Sequence, residues 1–231
     1  MLLKELREQV VYYGRQLLAS GLTMHTGGNL SARDRATGLI AIKPTSKPYD
    51  LLQPCDITVI DLDGTVVEGI YRPSSEWPMH TMIYRTFPRV CGVVHCHSPY
   101  ATAAAAAGQE LPLITHEICM HCSSPVRVMP FEVPGSEALA QSAIRGFGSD
   151  NNVTLLGNHG SIAMGATLWH AFDGVCAAEQ AAQTLQLALL YRGSDRVDAI
   201  PPIPEEGRRA LRRCDPLQGP DNDKPVEIQA V

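Results

Sequence analysis

Two histidines separated by one residue, His95 and His97, are well suited to bind a metal ion. They end the run 90–97, which is rich in small and β-branched residues, carries no charged residue and stops at Ser98-Pro99. This pattern predicts a buried strand. Because side chains alternate between the faces of a strand, both imidazoles should point to one side and Cys96 to the other. Two imidazoles on a rigid backbone could form half of a zinc site. The alternative is two buried histidines that only form hydrogen bonds.

Two further candidate ligands lie at predicted turns or element ends, where functional residues are often found. Glu76 lies at the start of a predicted helix, and His159 lies in an Asn-His-Gly turn. With His95 and His97 they would supply three imidazoles and one carboxylate. That combination suits zinc or another borderline divalent ion. Each segment taken alone could also be an ordinary turn or helix cap.

Several neutral polar residues could bind a phosphate group. They lie in a glycine turn, in a Pro-Thr-Ser loop and at the predicted helix start, and they are Asn29, Thr45, Ser46, Ser74 and Ser75. Hydroxyl and amide groups donate hydrogen bonds to phosphate oxygens, and a helix N-terminus favours an anion. The sequence therefore predicts a phosphorylated ligand next to the metal site.

The composition limits the classes of function. The 231 residues carry a formal net charge of −5, with acidic and basic residues interspersed, which argues against nucleic-acid binding through a broad basic face. No run of 18 apolar residues predicts a membrane span, and the first 18 residues do not resemble a secretion signal. Seven cysteines without regular spacing fit a reducing compartment. We therefore expect a cytoplasmic protein.

The predicted elements indicate one α/β domain over residues 1–213. Helices are predicted at 2–20, from about 75–77 onward, at 99–107 with Ser98 as its cap, at 135–146 and at 167–192, and short hairpin-connected strands lie between them. Short strands are also expected at 111–115 and 125–129. The brief connections favour a largely antiparallel sheet covered by helices. A proline-rich segment, 214–231, is expected to be an extended or disordered tail.

The motifs occur in an order that resembles the class II aldolase/adducin family, most closely its L-fuculose-1-phosphate aldolase branch. The resemblance runs from about residue 3 to residue 192. The matching segments are Gly28-Asn29-Leu30-Ser31, Pro44-Thr45, Pro73-Ser74-Ser75-Glu76-Trp77, Val94-His95-Cys96-His97 and the segment 155–160 with its His159-Gly160.

This resemblance implies a single three-layer α/β/α domain and a C4 homotetramer with active sites between subunits. It implies one Zn²⁺ per subunit, bound by His95, His97 and His159. Glu76 would be both the fourth ligand and the acid/base, and the five polar residues named above would bind the phosphate. The implied reaction is the reversible cleavage of a ketose 1-phosphate to dihydroxyacetone phosphate and an aldehyde through a metal-stabilised enediolate. The metal would act as a Lewis acid.

The sequence departs from the aldolase branch at the place of a catalytic tyrosine, where Glu117 stands. A carboxyl group could move the same proton, so Glu117 is a second candidate catalytic residue. Epimerases, dehydratases and decarboxylases of the same fold remain alternatives, as does a non-catalytic adducin-like module. In the 4-epimerase branch the position of Glu76 is commonly Asp, which favours the aldolase.

A lone Cys-x-x-Cys, formed by Cys119 and Cys122, is not explained by the resemblance. It could be a redox pair or half of a structural zinc site. No second pair of this kind follows it, so we expect no role in chemistry.

Overall fold

An eight-stranded sheet forms the centre of the computed structural model, which describes residues 1–212 together with Asp215 and Leu217. The strands are β1 (Asn29–Arg33), β2 (Ile40–Ile42), β3 (Thr58–Ile60), β4 (Val66–Glu68), β5 (Gly92–Cys96), β6 (Val128–Met129), β7 (Val153–Leu156) and β8 (Gly160–Gly165). Their order is β4-β3-β2-β1-β5-β8-β7-β6. Only the β6–β7 pair is parallel among these strands. The predicted, largely antiparallel sheet is thus confirmed.

Helices cover both faces of the sheet. They are α1 (Lys4–Ala19), α2 (Trp77–Thr86), α3 (Pro99–Ala106), α4 (His116–His121), α5 (Glu137–Phe147), α6 (Leu168–Arg192) and α7 (Glu205–Arg212). One apolar core joins α1, α3, α4 and α6 to the sheet face that carries Val94 and Cys96. A second core joins α2 and α5 to the face that carries Val93. The two cores give the α/β/α layers.

Cap residues explain where several helices begin. Ser98 precedes Pro99 at the start of α3, as predicted. Ser136 accepts a hydrogen bond from the Leu139 N–H at the start of α5. Thr167 likewise accepts one from the His170 N–H and begins the long α6. The Ser136 and Thr167 side chains satisfy N–H groups that have no partner within the helix.

The region 111–129 differs from the prediction. The expected strand at 111–115 is wrong, since Leu111 forms only an isolated bridge with Val126. The expected strand at 125–129 is reduced to β6. Between them lies α4, a six-residue helix in which the Ile118 N–H donates to the Thr115 side chain. A helix this short has too few turns to give a recognisable apolar period.

The remaining predictions about the chain outside the site are tested only in part. Cys119 and Cys122 are unpaired and buried in the core, on and just after α4. The predicted tail, 214–231, lies outside the described residues except for Asp215, which is buried, and Leu217. Within the described part of the chain, no helix has the length and apolar character needed to cross a bilayer.

Candidate metal centre

Three histidines converge at the end of the central strand β5. His95 lies on β5 opposite Asn29 of β1 and Ile162 of β8, and His97 directly follows the strand. His159 lies in the turn between β7 and β8, next to Asn158, which adopts a left-handed conformation with φ of 55°. The Nε2 atom of His95 is 3.0 Å from that of His97 and 3.2 Å from that of His159. The predicted convergence of the three imidazoles is therefore present in a single chain.

The hydrogen bonds around His95 leave its Nε2 atom free to bind a metal ion. Its Nδ1 atom is 2.9 Å from the carbonyl oxygen of Ser161, which can only accept, so Nδ1 carries the proton. Burial, followed by the neighbouring His159 and His97, lowers the pKa of His95 well below its usual value. Burial also lowers the pKa of His97. Both rings are therefore neutral, as metal-binding imidazoles must be.

A shared cation satisfies this cluster better than hydrogen bonds do. The single lone pair on His95 Nε2 cannot accept from both His97 and His159 at their observed distances. One ligand nitrogen from each of the three histidines lies within 4.8 Å of the others. A carbonyl oxygen that orients a histidine from behind is a common feature of metal sites. The donor set therefore fits a divalent metal ion.

Glu76 supplies a carboxylate beside the three histidines. It immediately precedes α2 and is only 5% exposed. Its Oε2 atom is 3.4 Å from His95 Nε2, and its Oε1 atom is 3.6 Å from His159 Nε2. Oε1 is buried and has no hydrogen-bond donor. An unpaired carboxylate oxygen in a buried site is costly unless a cation or a proton joins it.

Asn29 connects Glu76 to the sheet. Its Nδ2 atom donates a hydrogen bond of 2.6 Å to Glu76 Oε2, and its Oδ1 atom lies 2.5 Å from His80 Nε2. The predicted role of Asn29 in phosphate binding is not tested by this arrangement. The second hydrogen on Nδ2 remains available for a ligand.

The loops that carry the predicted phosphate-binding residues lie next to one another. The Thr45 N–H donates to the Arg72 carbonyl, and the Ser74 N–H donates to the Lys43 carbonyl. Ser74 also accepts from the Glu76 N–H at 3.3 Å. These bonds join the loop containing Thr45 and Ser46 to the loop containing Ser74 and Ser75.

The glycine turn 27–28 packs directly against the histidine strand. Gly28 has a φ of 67°, and a Cβ atom there would lie 2.5 Å from the carbonyl oxygen of His95. A Cβ on Gly27 would lie 3.1 Å from His97 Nδ1. Only glycine allows both the positive φ and this approach at position 28. The turn therefore brings its backbone up to the metal centre.

Glu117 is not joined to the centre by any contact within the described residues. It is half-buried on α4, whose buried residues belong to the core on the Cys96 face of the sheet. His95 points to the opposite face. The predicted catalytic role of Glu117 remains a prediction.

The sequence analysis missed two buried polar residues, one beside Asn29 and one at the start of the Thr45 loop. His80 is fully buried on α2, and its spacing from Glu76, four residues along one helix, was a usable signal. Lys43 is also buried, and its ammonium group contacts only the Thr26 and Pro44 carbonyls and the Tyr49 ring. Burial lowers the pKa of Lys43 to about 8. Among the described residues no carboxylate pairs with it.

The chain matches a known protein family and is similar to two named enzymes. The family described as Class II Aldolase and Adducin N-terminal domain matches residues 8–186. A 5-deoxy-D-ribulose 1-phosphate aldolase from Bacillus thuringiensis serovar kurstaki is 42% identical over 172 residues, which cover 74% of this chain and 80% of that protein. An L-ribulose-5-phosphate 4-epimerase from Salmonella paratyphi B is 44% identical over 112 residues, 48% of this chain and 49% of the epimerase.

A solved structure shares the fold. That of an L-fuculose 1-phosphate aldolase superposes with a TM-score of 0.83 at 32% sequence identity, covering 90% of this chain and 95% of the aldolase. The family match extends from α1 into α6 and includes all four candidate metal ligands. On these grounds the chain belongs to the class II aldolase and adducin family.

Proposed function

We propose that this protein is a zinc-dependent aldolase that reversibly cleaves a ketose 1-phosphate to dihydroxyacetone phosphate and an aldehyde. The observation that carries the proposal is the convergence of His95, His97 and His159 on Glu76, whose Oε1 atom has no donor. Three imidazoles with one exchangeable carboxylate are typical of catalytic zinc sites, which keep a position for substrate. The metal analysis described below would also detect another divalent transition metal in place of zinc.

Glu76 is the proposed acid/base of the reaction. When bound, the divalent ion would act as a Lewis acid toward the carbonyl and the adjacent hydroxyl of the substrate, stabilising the negative charge of an enediolate. In the condensation direction Glu76 accepts the proton from the carbon of dihydroxyacetone phosphate that will form the new bond. In cleavage it returns this proton to the same carbon. Its burial beside the histidines keeps water away from that transfer.

The phosphate is the proposed positioning group. Thr45, Ser46, Ser74 and Ser75 would donate hydrogen bonds to it from two adjoining loops, and Asn29 would do so from the start of β1. The hydrogen bonds between these loops support a single binding surface. A phosphate bound away from the reacting carbons provides binding energy that orients the substrate.

The relatives suggest which ketose to test first. One is named a 5-deoxy-D-ribulose 1-phosphate aldolase and aligns with 74% of this chain. The epimerase relative aligns with 48%. We therefore place 5-deoxy-D-ribulose 1-phosphate, which would yield acetaldehyde, first among the substrates.

Glu117 is the proposed acid/base for the substrate hydroxyl. In the proposed C4 homotetramer, a neighbouring subunit supplies this residue to the active site. Its position on the layer opposite His95 supports donation between subunits, because within one chain it has no contact with the centre. The unpaired cysteines Cys55, Cys91, Cys96, Cys119, Cys122 and Cys176 support a reducing, cytoplasmic location. Light scattering during size-exclusion chromatography would measure the oligomeric state.

The proposal is tested by metal analysis and product detection. The purified protein should contain about one zinc ion per subunit and release dihydroxyacetone phosphate from 5-deoxyribulose, fuculose or rhamnulose 1-phosphate. A partial reaction separates the two acids, since deuterium from D₂O should enter dihydroxyacetone phosphate without any aldehyde. Glu76→Gln should abolish this exchange, whereas Glu117→Gln should keep it and lose cleavage. Glu5→Gln, an exposed residue on α1, is the control.

Two outcomes would replace the proposal. Conversion of L-ribulose 5-phosphate to its 4-epimer, without release of any triose phosphate, would assign the epimerase activity that the second relative carries in its name. Protein that holds no divalent metal, and that does not respond to a chelator or to added zinc, would indicate a non-catalytic adducin-like module.

A further inference from the structure

A continuous row of buried polar side chains leads away from Glu76 into α2 and the sheet. Asn29 Nδ2 donates to Glu76 Oε2, and Asn29 Oδ1 lies 2.5 Å from His80 Nε2. His80 Nδ1 lies 2.7 Å from Ser31 Oγ, which in turn lies 2.8 Å from Tyr84 Oη. All five side chains are at most 5% exposed. Water therefore contributes little to their hydrogen bonding.

The direction of these bonds follows from the chemistry of each atom. A carboxylate only accepts, so the Asn29 amide presents its NH₂ group to Glu76 and its oxygen to His80. His80 must then donate from Nε2, which leaves a lone pair on Nδ1 that accepts from the Ser31 hydroxyl. Burial lowers the pKa of His80 to about 3, so the ring carries one proton only. The donor and acceptor of each hydrogen bond from His80 to Glu76 are thus assigned without conflict.

We propose that His80 is a positioning residue that fixes Glu76 through Asn29, holding Oε2 and leaving Oε1 for the cation and the transferred proton. The inference rests on the role proposed above for Glu76. Oε1 has no donor and lies 3.6 Å from His159 Nε2, while Oε2 is held by Asn29. The two oxygens of one carboxylate are thus assigned different tasks.

The tautomer of His80 determines whether the Asn29 amide presents its NH₂ group or its oxygen to Glu76. With the proton on Nδ1, the lone pair of Nε2 would face the oxygen of Asn29, and the amide would turn over to relieve the repulsion. Its oxygen would then face Glu76, and the carboxylate would lose its donor. With the proton of His80 on Nε2, the Ser31 hydroxyl donates a hydrogen bond to Nδ1 and so stabilises this tautomer. Partners of this kind, which do not touch the metal, change metal affinity or activity about 10- to 100-fold in other metal sites.

The first test reads the tautomer directly and needs no activity. Long-range ¹H–¹⁵N spectra of histidine side chains, recorded on metal-free and zinc-loaded protein, should show His80 with its proton on Nε2 in both. His80→Gln identifies the signal. A proton on Nδ1, or on both nitrogens, would overturn the inference even if the aldolase is confirmed.

The second test uses matched variants. Gln can place an NH₂ group near the position of His80 Nε2, so His80→Gln should keep kcat within about threefold, whereas His80→Leu should lower kcat about 100-fold with KM changed less than about twofold. His170→Gln and His170→Leu are controls at another buried histidine, on α6. They should lose stability but keep kcat. Equal loss of kcat in the Gln and Leu variants at position 80 would contradict the inference.

A third variant covers the case in which His80→Leu does not fold. Ser31→Ala removes only the hydroxyl that donates to Nδ1, and it should shift part of the His80 population to the other tautomer. The tautomer spectrum can be read even in protein that cleaves no ketose phosphate. Failure of this inference and failure of the proposed aldolase are therefore distinguishable. A Ser31→Ala spectrum identical to that of the parent would contradict the role of Ser31.

Discussion

Two groups of histidines differ in position and in their partners: the first lies at the end of β5 and in the β7–β8 turn, and the second lies on α4 and α6. In the three-histidine centre, His95, His97 and His159 point their Nε2 atoms toward one another and toward a single carboxylate. In the stacked pair, His121 and His170 lie with ring centroids 4.8 Å apart, and each faces its own carboxylate. The first group has converging ligand atoms, and the second has a separate carboxylate for each Nε2 atom.

Each ring of the stacked pair has a carboxylate of the chain itself near its Nε2 atom. His121 Nε2 lies 2.9 Å from Asp173, and His170 Nε2 lies 3.6 Å from Asp215. Asp215 also contacts Arg212 at 2.7 Å and accepts from Asn152. The comparison teaches that burial and proximity of histidines do not by themselves indicate a metal. What indicates a metal is a set of ligand nitrogens that converge on one point beside a buried carboxylate.

The largest difference between the groups should appear on removing one ring from each. His159→Ala should lose the bound metal and lower kcat/KM about 1000-fold, since Lewis-acid stabilisation is worth about 4 kcal/mol. His121→Ala should keep the metal. Metal content by mass spectrometry and triose phosphate release measure both. Cys122→Ser is a second control, and loss of metal there would revive the structural zinc site at the Cys-x-x-Cys.

Breaking the stacked pair should instead lower stability. Asp215→Ala leaves the buried Arg212 guanidinium without its carboxylate, so we expect the free energy of unfolding to fall by about 3 kcal/mol. Metal content should not change. Urea unfolding of the metal-loaded protein measures the effect. A loss of metal on this substitution would mean that the two groups are coupled, contrary to the comparison.

Zinc should raise the free energy of unfolding only when the three-histidine centre is intact. At a free zinc concentration 100 times the Kd, binding to the folded state adds about 2.7 kcal/mol to the free energy of unfolding. A chelator should remove this gain in the parent protein and have no effect on His159→Ala. Thermal unfolding with and without chelator measures it. An equal response from both proteins would place the bound zinc elsewhere.

Lys43 differs from both histidine groups, because this buried cation has no carboxylate partner among the described residues. Burial lowers its pKa in the folded protein to about 8, whereas the unfolded chain keeps the usual value near 10.5. The unfolded state therefore binds more protons between pH 8 and 10.5, and this group makes stability rise with pH in that range. Lys43→Met should stabilise by about 1–2 kcal/mol at pH 7, after loss of the contact with Tyr49, and the gain should fade above pH 10.

The pH dependence separates this effect from simple repacking. A Lys43→Met gain that stays constant from pH 7 to pH 10.5 would show that burial of the charge is not its cause. Urea unfolding at several pH values, on metal-free protein, gives the comparison without interference from the centre.

The sequence was most informative where local rules decide the outcome. The alternation of His95, Cys96 and His97 follows from strand geometry, and Thr167, Ser136 and Ser98 each precede their helix as capping rules predict. The antiparallel sheet followed from short connections between strands.

Features that depend on distant contacts could not be predicted in the same way. The row from Glu76 to Tyr84 joins residues of β1 to residues of α2, and the ion pairs of His170 and Asp215 join segments 45 residues apart along the chain. Short helix α4 was missed because its six residues lack a clear period. Pairings of this kind depend on packing that no local pattern encodes.

The position of β5 between β1 and β8 has a consequence for metal exchange. A strand bonded on both sides in the middle of a sheet opens only in large unfolding events, so its amide hydrogens should be among the slowest to exchange with solvent. We expect His95, which lies on this strand, to keep its position when the ion leaves. Apoprotein prepared by chelation should therefore accept cobalt or manganese at the rate of ion binding, with no refolding phase, and spectroscopically active derivatives can be prepared under native conditions.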